Sequence, residues 1–161
     1  MIDPFVALAG CLLLVAATWD VARFRIPNFL CAALAGLFAL RAVLLPDAAE
    51  AMRHLALAAI VFAVTALLFA RGLIGGGDVK LLAAATLWVP PAAVLPQMLA
   101  VSSIGALLAL GVAALRRIVR LVLPVPTYGE AALPEILRAG APLPYGVAIA
   151  AGTLLHLPWT L

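Results

Sequence analysis

The chain has 161 residues, of which 67% are hydrophobic and 11% charged, with a formal net charge of +3 and a mean hydropathy of +1.24. Soluble domains carry roughly 45–50% apolar residues. A soluble domain with a single anchor is therefore excluded, and the composition is that of an integral membrane protein expected to form one domain over residues 1–161. The basic residues are too few and too dispersed for a nucleic-acid partner, and the charge is better read through topology.

Apolar runs fall at about 2–20, 29–45, 54–71, 74–95, 96–115 and 142–158, and a helix needs about 20 residues to cross the hydrocarbon layer. An all-α fold with about six transmembrane helices is expected. The first run differs from a secretory signal peptide, because Met1-Ile2-Asp3 supplies no basic start and the run ends in Trp19-Asp20 rather than at a small-residue cleavage site. It is read as a retained helix. Cys11 and Cys31 fall inside apolar runs as small buried hydrophobes, and no Cys-x-x-Cys pair is present to hold zinc. No metal and no cofactor are expected.

Asp20 closes the first run, directly before Val21-Ala22-Arg23-Phe24-Arg25-Ile26-Pro27-Asn28. Pro27 suits the start of the second helix, and Arg23 and Arg25 read as topogenic charges, with contact to substrate or anionic lipid as the alternative. Small residues at Gly36 and Ala39, and at Ser102, Ser103, Gly105 and Ala106, suit close helix approach. His54 and His156 lie near outer helix ends, and Trp19, Trp88 and Trp159 read as interfacial anchors.

Gly75-Gly76-Gly77-Asp78-Val79-Lys80 interrupts the apolar sequence ahead of the fourth span. An ionisable residue at membrane depth marks a functional site by default, and irregular backbone is tolerated there only where protein or a water-filled cavity surrounds it. The segment is expected to line a polar pocket; the competing reading is a loop with Asp78 as helix cap. Without a Cβ, Gly75, Gly76 and Gly77 allow positive φ and the close approach of an extended substrate backbone. Lys80 either snorkels to the interface or tunes the aspartates electrostatically. Pro90-Pro91 then breaks the run, and residues 79–89 alone reach only about 16 Å at 1.5 Å per residue. Span four is either short or continues through a proline kink.

With the first connection in the cytoplasm, Arg23, Arg25, Arg71, Lys80, Arg116, Arg117, Arg120 and Arg138 lie inside, only Arg41 and Arg53 are left near the outer ends, and Asp3, Asp47 and Glu50 face outward. Both termini are then extracytoplasmic, and the large loop over residues 116–141, with its proline-rich stretch 124–130, is cytoplasmic. Asp20 ends an inward-running span and Asp78 opens an outward-running one, so the two lie at similar depth near the cytoplasmic face. Two carboxylates held together share a proton. The ionised one takes a proton from an attacking water, and the protonated one donates to the substrate carbonyl oxygen and then to the leaving nitrogen.

Three segments, in order, resemble the type IV prepilin peptidases, membrane aspartic proteases with a GxGD motif, in the short forms of Flp-type (Tad) pilus systems. They are Asp20 with Arg23-Phe24-Arg25-Ile26-Pro27-Asn28, then Gly75-Gly76-Gly77-Asp78-Val79-Lys80-Leu81, and finally Leu143-Pro144-Tyr145-Gly146-Val147-Ala148-Ile149-Ala150-Ala151-Gly152. The resemblance implies that Asp20 and Asp78 are the catalytic pair, beside a substrate-binding segment at Gly75, Gly76, Gly77 and Lys80. They would cut the leader from prepilin or pseudopilin precursors after a glycine, at the cytoplasmic face of a bacterial inner membrane. Pilus assembly machinery is a further partner that it suggests, beyond the lipid bilayer. Pro144-Tyr145-Gly146 either packs near the site or serves as a helix-entry turn. Longer family members carry an extra cytoplasmic segment with paired cysteines and methylate the new N-terminus; this chain shows neither feature, and methylation is not expected. The presenilin and signal-peptide-peptidase group shares GxGD, but its Pro-Ala-Leu motif is missing. A small proton- or cation-coupled transporter using the same aspartates is the alternative from another class, and the inverted repeat that would support it is not visible.

Overall fold

In the computed structural model, residues 3–45, 47–122, 134–138 and 140–159 are described. The proline-rich stretch 124–130 lies outside them. The structure is 80% helical and, among the described residues, contains no strand, as the apolar periodicity requires.

Helix α1 (Pro4–Arg23) starts from Asp3, whose carboxylate accepts from the Phe5 amide at 2.8 Å. It ends where Phe24 turns left-handed at φ 50° and donates its N–H to the Asp20 carbonyl. Helix α2 (Asn28–Leu44) follows Pro27, and α3 (Ala48–Ala70) is capped by Asp47 accepting from the Glu50 amide at 3.0 Å. Helix α4 (Gly76–Thr86) leads through a 3-10 turn at Pro91–Ala93 into the long α5 (Val94–Val122). A 3-10 turn at Glu135–Leu137 precedes α6 (Gly146–Leu154).

The expectation of six full-length spans is not met by helix length. Among the described residues, three helices are long and apolar enough to cross a membrane, Pro4–Arg23, Ala48–Ala70 and Pro91–Val122, with Asn28–Leu44 as a shorter apolar helix. The expected spans 74–95 and 142–158 are represented by helices of 11 and 9 residues, about 16 and 14 Å long at 1.5 Å per residue. Proline explains the first truncation. Pro90 disfavours helical geometry at the residue before it, and the Trp88 and Val89 amides close 3-10 turns onto Ala85 and Thr86. Span four is short, and no kinked helix runs on through Pro90-Pro91.

The short helices occupy the middle of the bundle. Helix α4 packs against α2, α3 and α6, and α6 packs against α1, α4 and α5; Leu81, Ala85, Ala148 and Ile149 are wholly buried. Helix α6 is apolar on nearly every side, and α4 beyond its polar first turn is mostly Leu and Ala, so both belong in an interior. The long helices turn large side chains outward, among them Leu14, Phe62, Leu67, Leu107 and Leu110, the surface expected of a protein solvated by lipid. Cys11 lies on that exposed surface and Cys31 inside, both as free thiols, so only Cys31 behaves as the expected buried hydrophobe.

At the end of the bundle where α1 begins and α4 stops, Arg41 pairs with buried Asp3 at 3.0 Å. His54 Nδ1 meets the Leu87 carbonyl oxygen at 2.8 Å, and the Trp88 indole N–H donates to the Leu34 carbonyl at 3.2 Å. Trp88 is only 3% exposed and stacks edge-on against Phe38. It is a core residue tying α4 to α2, and the expectation of an interfacial anchor there is corrected.

Close backbone approach holds α5 to α6. A Cβ on Gly152 would sit 2.6 Å from Val101 Cγ2 and 2.8 Å from the Val101 amide nitrogen. Gly152→Ala is therefore expected to push the two helices apart and cost about 1–3 kcal/mol, read as a lowered unfolding temperature in detergent; an unchanged temperature would show that the interface relaxes freely.

Candidate active site

Asp20 occupies the last turn of α1 and is 4% exposed. Its Oδ2 accepts a hydrogen bond from the Gly146 amide at 2.7 Å. Gly146 is the first residue of α6, whose first amides have no partner within the helix and attract negative charge. A Cβ at Gly146 would lie 2.9 Å from that same Oδ2 and 3.1 Å from Asp20 Cβ, so only glycine leaves room for the contact.

Asp78 is the third residue of α4, and the helix cap is Gly75. The Asp78 carboxylate folds back toward Gly75, and its Oδ2 would be 2.8 Å from a Cβ there. An acidic side chain in the first turn suits the positive end of the helix dipole. The competing reading, with Asp78 itself as helix cap, is not met: Gly75 is the cap, and Asp78 lies in the first turn and lines the cavity. Gly77 lets the chain after α1 cross the start of α4, since a Cβ there would come within 3.3 Å of Ile26 Cβ.

Asp20 and Asp78 line one cavity of about 1010 Å³, together with residues 72–77, Phe24, Arg25, Ile26, Pro142, Leu143 and Tyr145. The two carboxylates are near enough to interact electrostatically. This volume is at the upper limit of small-molecule pockets, about 1,000 Å³, and suits a length of peptide chain. The cavity opens where α1 and α3 end and α2, α4 and α6 begin, the antiparallel arrangement that equal depth requires.

Gly75, Gly76 and Gly77 do not use the positive φ open to them, which near this segment falls at Gly72 instead. They line the cavity, but Lys80 does not. Its ammonium donates to Asn28 Oδ1 at 3.0 Å, on the face of α4 turned toward α2. Arg25 reaches the cavity, whereas the Arg23 guanidinium lies 4.8 Å from the centre of the Trp19 ring. Pro144-Tyr145-Gly146 satisfies both of its readings, as a helix-entry turn from which Tyr145 lines the cavity and the Gly146 amide meets Asp20. Sequence reasoning missed the Gly146 amide as partner of Asp20. The available signal was a glycine at the start of a short apolar helix, which is too common to identify a partner 126 positions away. The Tyr145 ring sits in a notch on α5 at Gly105, where a Cβ would collide with it.

Apolar helices around a cavity with two buried-side carboxylates define a class: an α-helical protein of membrane type with a paired-aspartate site. The chain belongs to the type IV leader peptidase family, whose model matches residues 7–110. The match runs from α1 into α5 and includes Asp20 and the glycine-rich segment, while α6 lies beyond it. No curated protein and no solved structure matches the chain. Family membership implies an aspartic-type prepilin peptidase with prepilin substrates.

Gly146→Ala is expected to drive the Asp20 carboxylate from its amide and slow leader removal by about 100-fold, with helix content retained by circular dichroism. Cleavage at the wild-type rate would show that the Asp20–Gly146 contact is dispensable.

Proposed function

We propose that this protein removes the leader peptide of type IV or Flp-type prepilins with Asp20 and Asp78 as its catalytic pair. The observation that carries the reading is the shared cavity of about 1010 Å³, into which both aspartates and the glycine-rich segment open. One aspartate, ionised, takes a proton from water as the water oxygen bonds to the scissile carbonyl carbon, and the other donates its proton to the carbonyl oxygen. The tetrahedral gem-diol then collapses: the proton taken from water passes to the leaving nitrogen, the C–N bond breaks, and a gem-diol hydroxyl gives its proton to the other, now ionised, aspartate as the C=O bond re-forms. The pair ends with one proton, as it began. Gly75, Gly76 and Gly77 form the rim along which the substrate backbone lies extended, and Arg25 adds a positive charge there. Lys80, engaged with Asn28, acts at most through α2.

In this reading residues 1–161 form one domain in a bacterial inner membrane, with six helical segments alternating in direction. The cavity faces the cytoplasm and both termini lie outside. Arg25 lies at the cavity end, whereas Asp47 and Glu50 line a separate pocket with His54 and Arg41 at the opposite end; the orientation is supported by the excess of basic residues in the connections on the cavity side, to which Arg41 and Arg53 are the exceptions. A cleavage site at the cytoplasmic face gives access to a leader that precedes an apolar, membrane-inserted substrate helix, and pilus assembly machinery would receive the product.

Asp20→Asn and Asp78→Asn preserve size and remove the proton chemistry, and each is expected to reduce prepilin cleavage by about 10⁴-fold or more, followed as the mobility shift of the processed pilin. Wild-type cleavage by either variant would overturn the assignment. The rate should also follow a bell-shaped pH profile with two apparent pKa values belonging to the pair, because only the singly protonated pair holds both a base and an acid. A flat profile from acidic to neutral pH would remove the shared proton from the mechanism.

A further inference from the structure

Polar side chains in an apolar core are unfavourable unless hydrogen-bonded, yet Thr86, Gln97 and Thr153 are wholly buried in the bundle. They bond to one another. Gln97 Nε2 donates to Thr153 Oγ1 at 3.0 Å. The Thr86 hydroxyl donates one three-centre hydrogen bond, shared between the Leu82 carbonyl oxygen at 2.8 Å and Gln97 Oε1 at 3.3 Å. Thr86 closes α4, Gln97 lies in the first turns of α5, and Thr153 lies near the end of α6.

This row is remote from the cavity. Thr86 lies about 12 Å along the helix axis from Asp78, and Thr153 about 10 Å from Gly146. None of the three side chains lines the cavity, so none touches substrate. They nevertheless join the two helices whose first turns build the site: α4, which carries Asp78, and α6, whose Gly146 amide holds Asp20. Hydrogen bonds tolerate only a narrow range of distance and angle, whereas apolar packing accepts substitution as long as volume is kept. The row thereby fixes how far the two helices slide or splay.

Helix α4 needs such an anchor. At the cavity end it joins α3 through residues 71–75, where Gly72 has φ 71°. At the other end it is held by Gln97, by His54 on the Leu87 carbonyl and by Trp88 on the Leu34 carbonyl. Of these bonds, those of Gln97 alone also reach α6.

We propose that Gln97 is a positioning residue for the aspartate pair: bridging Thr86 and Thr153, it sets α4 against α6 so that Asp78 and the Gly146-held Asp20 face each other across the cavity. The inference rests on the reading of these aspartates as the catalytic pair.

Two measurements test it. Gln97→Met keeps the length of the side chain and removes both hydrogen bonds, while Thr86 keeps its bond to Leu82. Gln97→Met and Thr153→Val are expected to lower kcat for prepilin cleavage in detergent by about tenfold with KM nearly unchanged, and Thr153→Ser, which retains the hydroxyl, to match wild type. The second measurement needs no catalysis. Asp20→Cys and Asp78→Cys, combined with Cys11→Ser and Cys31→Ala, are joined by a short bifunctional thiol reagent, and Gln97→Met is expected to reduce the cross-linked fraction. Unchanged kcat and unchanged cross-linking would overturn the proposal, as would equal losses for Thr153→Val and Thr153→Ser. Should Gln97→Met fail to fold, the Thr153 pair decides through both readouts. Should Asp20→Asn cleave normally, the catalytic reading falls, and cross-linking still judges whether Gln97 sets the separation of Asp20 and Asp78.

Discussion

A helix start buried among other helices has free amides that lipid cannot satisfy, and at the start of α6 a carboxylate answers: Asp20 reaches across from the end of α1 to accept from the buried Gly146 amide. The start of α4 opens onto the same cavity, with the Asp78 carboxylate of its first turn against Gly75. The group that completes the α6 backbone is therefore one of the two aspartates that line the cavity. Moving the start of α6 would leave that amide unpaired and would also release Asp20. Structural demand and proposed catalytic demand coincide at this hydrogen bond.

The shortness of α4 and α6 follows from the same arrangement. A helix spanning the full layer would carry its polar start out to the interface, whereas helices of 11 and 9 residues fit inside the shell made by α1, α3 and α5. That shell supplies lipid-facing Leu, Val and Phe side chains, and glycines bring its backbones close to the short helices. The positions at Gly105 against Tyr145 and Gly152 against Val101 have no room for a Cβ, and at Gly77 against Ile26 a Cβ would be tight. In lipid, helices gain little from hydrophobic association and depend on such close packing and on interhelical hydrogen bonds. The Thr86–Gln97–Thr153 row supplies the latter where α4, α5 and α6 meet.

The two ends of the bundle differ in what their polar groups do. At the end opposite the cavity, Asp3 and Arg41 neutralise each other, and His54 and the Trp88 indole are used on backbone carbonyls. Polar groups there fasten helices together. At the cavity end, Asp20 and Asp78 have no ion-pair partner among the described residues, and Asp20 meets the Gly146 amide. An amide partner holds a carboxylate in place without neutralising its charge, as the proposed proton exchange requires.

The all-α class and membrane character, and the meeting of Asp20 and Asp78 at one end of the bundle, were legible in the sequence. Apolar run length, charge bias and the expense of an ionisable residue in lipid are local properties of the chain, and alternating helix direction carries them to equal depth. The lengths of α4 and α6 were not legible, because a long apolar run has the same hydropathy whether it is one helix or a short helix with a turn, and Pro90-Pro91 allowed either a stop or a kink. Trp88 read as interfacial because aromatic residues at a run's end usually are, and only its contact with the Leu34 carbonyl makes it core. Tertiary structure alone decided that Lys80 faces α2, that Gly146 holds Asp20 and that Gln97 bridges two threonines. The reason is physical: a backbone amide has no residue-type signature, and a hydrogen bond between distant segments exists only once packing has brought them within about 3 Å of each other.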